Sequence, residues 1–372
     1  MGRATIVFRA FVAGIGFLFV SPPDAFAQIE GAGSSSSSVS SQQVRLKQGR
    51  TQRETGSEIT SARRRIDVPV PPTRPGSSVA FPKNMPPASM LFSLVQTPNR
   101  GAAQAIGYYP KGCLSGAQEL PLVGPNWQVM RVSRNRYWGH PELVRFIERL
   151  ALVASARTKW PGILIGDMSQ PRGGPLPSGH ASHQIGLDVD IWLSPMPAQP
   201  FSAAETDTTP MASVVMPDGA HLDPTRWKSS DATLIKLAAQ DRDVERIFVS
   251  PVIKKELCRV ERPEDQHWME KVRPWYGHRD HMHVRLRCPP GSPECRPQQS
   301  VPDGDGCGKS LDEWFSKHMR GLDNEITSRA PLERSHPVLR ELPKTCVSVL
   351  DAPGRPISTF AHQMGQGRGA RN

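Results

Sequence analysis

"HQIGLDVDIWL" (His183–Leu193) and "HMHVRLRC" (His281–Cys288) both alternate with a period of two. In the first, Leu187, Val189 and Ile191 fall on one face of an extended chain, which leaves Asp188, Asp190 and Trp192 on the other. In the second, Met282, Val284 and Leu286 alternate with His281, His283, Arg285 and Arg287. If both apolar faces turn into a core, the two polar faces can line one cleft, with carboxylates and imidazoles as its walls.

The surrounding sequence sets these strands in a mixed architecture. "HPELVRFIERLALVASA" (His140–Ala156) has Pro141 in a first-turn position, and Leu143, Phe146, Ile147 and Leu150 recur at helical spacing. "GILIGDMS" (Gly162–Ser169) reads as a short buried strand, and "TLIKLAAQDRDVERIFVS" (Thr233–Ser250) as a helix followed by a strand. Helices and short strands mixed with Pro/Gly-rich connections imply an α+β fold: a small antiparallel sheet with flanking helices and long loops. One folded domain is expected over 88–352, since no internal repeat or linker divides it.

The ends read differently. Arg3 and Arg9 precede an apolar run, Phe11–Val20, then Pro22-Pro23 and Ala25-Phe26-Ala27, the pattern of a cleavable export signal over 1–27. The run is too short to span a bilayer. Residues 28–87 are Ser-, Arg- and Pro-rich, with too few large apolar side chains to offset the entropy of ordering them, so a disordered tether is expected there and a flexible tail over 353–372. The formal charge is +11, and Gln42–Arg74 alone holds eight basic and three acidic residues. Such a tether suits an anionic envelope surface; no stacking aromatics or recognition motif accompany the charge, so nucleic acid is not expected as a partner. Six cysteines in an exported chain favour three disulfides over thiolate ligands. By spacing, only Cys288 and Cys295 are local partners.

Eleven histidines are present, and five of them, His180, His183, His278, His281 and His283, lie close to the two strands. Side chains two apart on a strand sit roughly 7 Å from each other, which suits one metal ligand and one neighbour better than two ligands. A catalytic zinc takes three protein nitrogens or oxygens and keeps a position for water. His183, Asp190 and His283 provide such a set, with His281 beside the open position. The alternatives are an exposed polar sheet edge for His281 and His283 and a calcium-like or purely structural carboxylate pair for Asp188 and Asp190. No H-E-x-x-H helix occurs, which removes the commonest zinc-protease motif but not zinc hydrolysis itself.

"SQPRGGPLPSGHASHQIGLDVDIWL", "RNRYWGHPELV", "ERIFVSPVIKKELC" and "VRPWYGHRDHMHVRLRCP", with the six-cysteine layout, resemble the penicillin-insensitive murein endopeptidases of the LAS metallopeptidase group. That group also includes lysostaphin-type enzymes and D-Ala-D-Ala metallopeptidases. The resemblance runs from about Ser93 to Cys346. It implies one zinc per subunit on His183, Asp190 and His283, with His281 catalytic. His180 and His278 are implied near the metal, in substrate contact and proton traffic or in orienting the ligands. It also implies the pairs Cys113–Cys346, Cys258–Cys307 and Cys288–Cys295, and a periplasmic location. The implied substrate is the peptide cross-link of peptidoglycan, cut at the D-alanyl–meso-diaminopimelyl bond. Arg172, in the Gly-rich loop, is a candidate for a substrate carboxylate, as is Asp188 for substrate contact or for orienting a histidine; Asp167 is a candidate cap of that loop. The rivals are a metallo D,D- or L,D-carboxypeptidase of uncrosslinked stems and a non-catalytic wall-binding module.

Overall fold

A computed structural model of the chain describes residues 86–177, 180–260, 262–327 and 337–355. The expected signal over 1–27, nearly all of the tether and the tail beyond 355 lie outside the described residues. In chain order the strands are β1 (Gln104–Tyr108), β2 (Lys111–Ser115), β3 (Gln118–Glu119), β4 (Val123–Gly124), β5 (Trp127–Val129), β6 (Trp138–Gly139), β7 (Ile163–Ile165), β8 (Asp188–Pro195), β9 (Val244–Val249), β10 (Val272–Pro274) and β11 (His281–Leu286). The helices are α1 (Ala88–Ser93), α2 (Pro141–Thr158), α3 (Ala203–Thr208), α4 (Ser229–Gln240), α5 (Pro251–Val260), α6 (Gln266–Met269), α7 (Lys309–Thr327) and α8 (Thr345–Asp351).

The class is α+β, as the mixture of periods implies. Two small antiparallel sheets, β1-β2 and β3-β6, flank a larger one than expected, seven strands in the order β10-β9-β11-β8-β7-β5-β4. Its centre is antiparallel, while β10 runs parallel to β9 and β5 parallel to β7. The outer strands are only two or three residues long, so no period shows in their sequence.

The two decisive segments are neighbours: β8 and β11 pair antiparallel, with His283 opposite Asp190, Arg285 opposite Asp188 and His281 opposite Trp192. Val189, Ile191, Met282, Val284 and Leu286 are buried in the main core on the other face. α2 and α4 pack together over that core through Leu143, Phe146, Ile147, Leu234 and Ile235. Each such side chain, fully buried, contributes about 1.5–3 kcal/mol of transfer free energy. α2 begins where the sequence suggests, with Pro141 at its first position and the His140 ring accepting the Glu142 N–H at 3.2 Å. Burial lowers the pKa of His140, in keeping with a neutral acceptor, so this histidine caps a helix and stays out of the cleft.

All six cysteines are paired, Cys113–Cys346, Cys258–Cys307 and Cys288–Cys295. The first ties α8 to β2 across a separation of 233 residues, and the second ties α5 to the segment leading into α7. Among the described residues no helix is long and apolar enough to cross a membrane.

Candidate active site

The polar face of β8 and β11 becomes a site because three imidazoles converge on one carboxylate oxygen. Asp190 Oδ1 lies 3.3 Å from His283 Nδ1, 3.4 Å from His183 Nε2 and 3.7 Å from His281 Nε2. The other oxygen, Oδ2, lies 3.4 Å from His180 Nε2. Burial works against the charge on Asp190, yet His183, His180 and His281 around it hold its pKa well below the ordinary value. The compact group whose ligand atoms all fall within 4.8 Å of one another is His180, His183 and Asp190. His283 faces the same Asp190 oxygen, and its ring lies edge-on to His183 at 4.6 Å between centroids.

Asp188 organises this cluster from beneath. It is fully buried, so it does not meet substrate. Its Oδ1 accepts from His283 Nε2 at 2.9 Å and from Arg285 Nε at 2.7 Å, and its Oδ2 accepts the His183 backbone N–H at 3.1 Å. Burial opposes its ionisation, but Arg285 and His283 outweigh it and the pKa is strongly lowered. Because His283 Nε2 is held by this carboxylate, its Nδ1 is the nitrogen turned to Asp190. Carboxylate-held histidines of this kind are common metal ligands. His183 adopts φ +65°, a left-handed conformation uncommon for a residue with a side chain, and the Asp188 hydrogen bond to its N–H supports it.

Both ring nitrogens of His183 and Asp190 Oδ1 are buried without a hydrogen-bond partner. Unpartnered buried polar atoms cost about 1–3 kcal/mol each. A cation shared by these donors would remove that cost, and a nitrogen-and-carboxylate donor set suits a first-row divalent ion. The residues therefore fit a metal ion.

His281 is aimed by a neighbour whose role the alternation hides. Its Nδ1 donates to Asp280 Oδ1 at 2.6 Å, which leaves Nε2 facing the Asp190 oxygen. Burial alone would lower its pKa; Asp190 and Asp280 outweigh burial and raise it. Asp280 directly precedes the strand, where the two-residue alternation has not yet begun, so its position next to His281 in sequence was the only signal. His278 lies 4.9 Å from His281 between ring centroids, has φ +53° and donates from Nδ1 to the Tyr276 carbonyl at 2.7 Å. Burial, with His281 and His283 nearby, pushes its pKa down to about 3, so its ring is neutral.

The remaining candidates are sorted by geometry. Asp167 does not cap the Gly-rich loop: its Oδ2 accepts from His180 Nε2 at 3.1 Å, Arg136 Nη1 at 2.7 Å and Arg134 Nη1 at 3.1 Å. Burial raises its pKa, but His180 and the two guanidiniums bring it down to about 2. Arg172 is outside the cleft. Only 4% exposed, it donates to the carbonyls of Thr97, Val349, Leu350 and Ala352, and so locks α8 against the loop. The loop glycines likewise serve internal packing. Gly174 has φ +76°, and a Cβ there would meet the Phe92 ring at 2.3 Å.

A family model described as penicillin-insensitive murein endopeptidase matches residues 105–351. Proteins of that name from Salmonella paratyphi C (strain RKS4594), Salmonella newport (strain SL254) and Salmonella agona (strain SL483) are each 48% identical over 264 residues. That span is 71% of this chain and 92% of each relative.

Proposed function

Because the chain belongs to the penicillin-insensitive murein endopeptidase family, we propose that it is an exported zinc peptidase that hydrolyses peptide cross-links of peptidoglycan at the D-alanyl–meso-diaminopimelyl bond. The observation that carries this reading is the convergence of His183, His281 and His283 on Asp190, with two of the facing atoms buried and unpartnered. In this reading His183, Asp190 and His283 hold the metal. A zinc ion bound there supplies Lewis acidity, activating water and polarising the scissile carbonyl.

The chain's own residues do the rest. His281 Nε2 takes a proton from the attacking water, because Asp280 fixes the proton on Nδ1 and leaves Nε2 as acceptor. The resulting imidazolium returns that proton to the leaving amine. His180 and the neutral ring of His278 border this position, and each has a hydrogen-bond partner that orients its ring. No serine nucleophile is needed, so β-lactams have nothing to acylate. Export follows from the N-terminal pattern and agrees with three disulfides.

One observation favours a second ligand set: His180, rather than His283, completes the compact group with His183 and Asp190. Metal content decides between them. Under the proposed set, His283→Ala loses stoichiometric zinc after dialysis, and His180→Ala retains it. The opposite result assigns the third position to His180.

A further inference from the structure

A wall of aromatic rings runs from the catalytic cleft to the surface. The His283 ring lies 5.4 Å from Phe248, which lies 5.7 Å from Trp275. Trp275 in turn lies 5.7 Å from Trp314 of α7, and Tyr276 lies 5.6 Å from the same indole. Leu311 and Phe315, three positions before Trp314 and one after, bury the inner face of α7, and Cys258–Cys307 anchors the approach to the helix. Trp314, itself partly buried, is therefore also held in place from below.

Trp275 is 48% and Tyr276 45% exposed, and both immediately precede the His278 turn. Large rings left in water beside a cleft mark a ligand surface. Their planes are tilted 41° and 51° to Trp314, so the rings meet at a corner and do not stack flat. The cross-linked stems carry methyl groups and polar, carboxylate-bearing chains, with nothing large and apolar to fill such a corner. A pyranose ring matches it, with an apolar C–H face for the rings and a hydroxyl rim for the indole N–H and phenol.

We propose that Trp275, Tyr276 and Trp314 bind a sugar ring of the glycan strand, so that the stem peptide it carries enters the histidine cleft. This rests on the wall-peptide reading above. The test compares wild type, Trp314→Ala and Trp314→Phe on intact sacculi and on the same cross-linked peptide dimers freed of glycan. Co-sedimentation with peptide-stripped glycan strands gives binding without turnover. Trp314→Ala is expected to lower kcat/KM on sacculi about five- to tenfold more than on sugar-free dimers, chiefly through KM, and to weaken glycan binding by a similar factor. Trp314→Phe restores most of both. Equal losses on the two substrates, or unchanged glycan binding, would overturn the proposal. If Trp314→Ala fails to fold, Tyr276→Ser carries the same comparison, since it removes an exposed ring and keeps the carbonyl that holds His278. Wild type that cleaves neither substrate contradicts the peptidase reading, whereas the binding arm still reports on the platform.

Discussion

Asp280 and Arg172 are opposite cases of a charged side chain near the cleft. Asp280 holds one atom of His281, so Asp280→Asn should keep the metal and the fold but lower kcat about ten- to a hundredfold. It should also shift the acid limb of the rate profile downward, since a carboxylate that raises the His281 pKa is gone. A packing role alone would leave the profile where it is. Arg172→Gln leaves four carbonyls short of donors and should cost about 2–4 kcal/mol of stability with KM unchanged in the folded enzyme, as thermal melts and initial rates would show. The polar faces of the two strands were legible because alternation reveals which side chains share a side. Their partners were not: the Arg172 acceptors lie 75 to 180 residues away, and nothing local signals a carbonyl cluster.

At the scale of elements, α2 was readable from its apolar spacing and its proline, and its face carries the core on which β8 rests. Phe146→Ala should cost about 3–5 kcal/mol by opening a cavity, measured by urea unfolding. α4 carries a pH-dependent contribution. Asp231, buried in its first turn, accepts the Lys228 N–H at 2.7 Å, and burial raises its pKa to about 6. The folded chain thus binds this proton more tightly than the unfolded chain. The stability it contributes is complete below about pH 4 and falls by about 2–3 kcal/mol as pH rises through 6. Asp231→Asn, which keeps an acceptor oxygen, should therefore raise the melting temperature more at pH 7 than at pH 4. The sheet was only half visible beforehand. β8 and β11 are long enough to show a period, whereas β4, β5 and β10 take their strand conformation from the neighbours they pair with.

Across the whole molecule, a strand and a histidine-rich strand some ninety residues apart come together to present Asp190 to His183, His281 and His283, while helices and disulfides hold the sheet beneath them. Each of those elements was partly readable from the chain; their pairing is a long-range fact that only the fold supplies. The most direct test is to incubate the mature protein with purified cross-linked muropeptide dimers, with and without chelator, and to weigh the products. Conversion of dimers to monomers that stops with chelator, returns with zinc and continues in penicillin is the expected result. Dimers left intact while uncrosslinked stems release D-alanine, or cleavage indifferent to chelator, would contradict it.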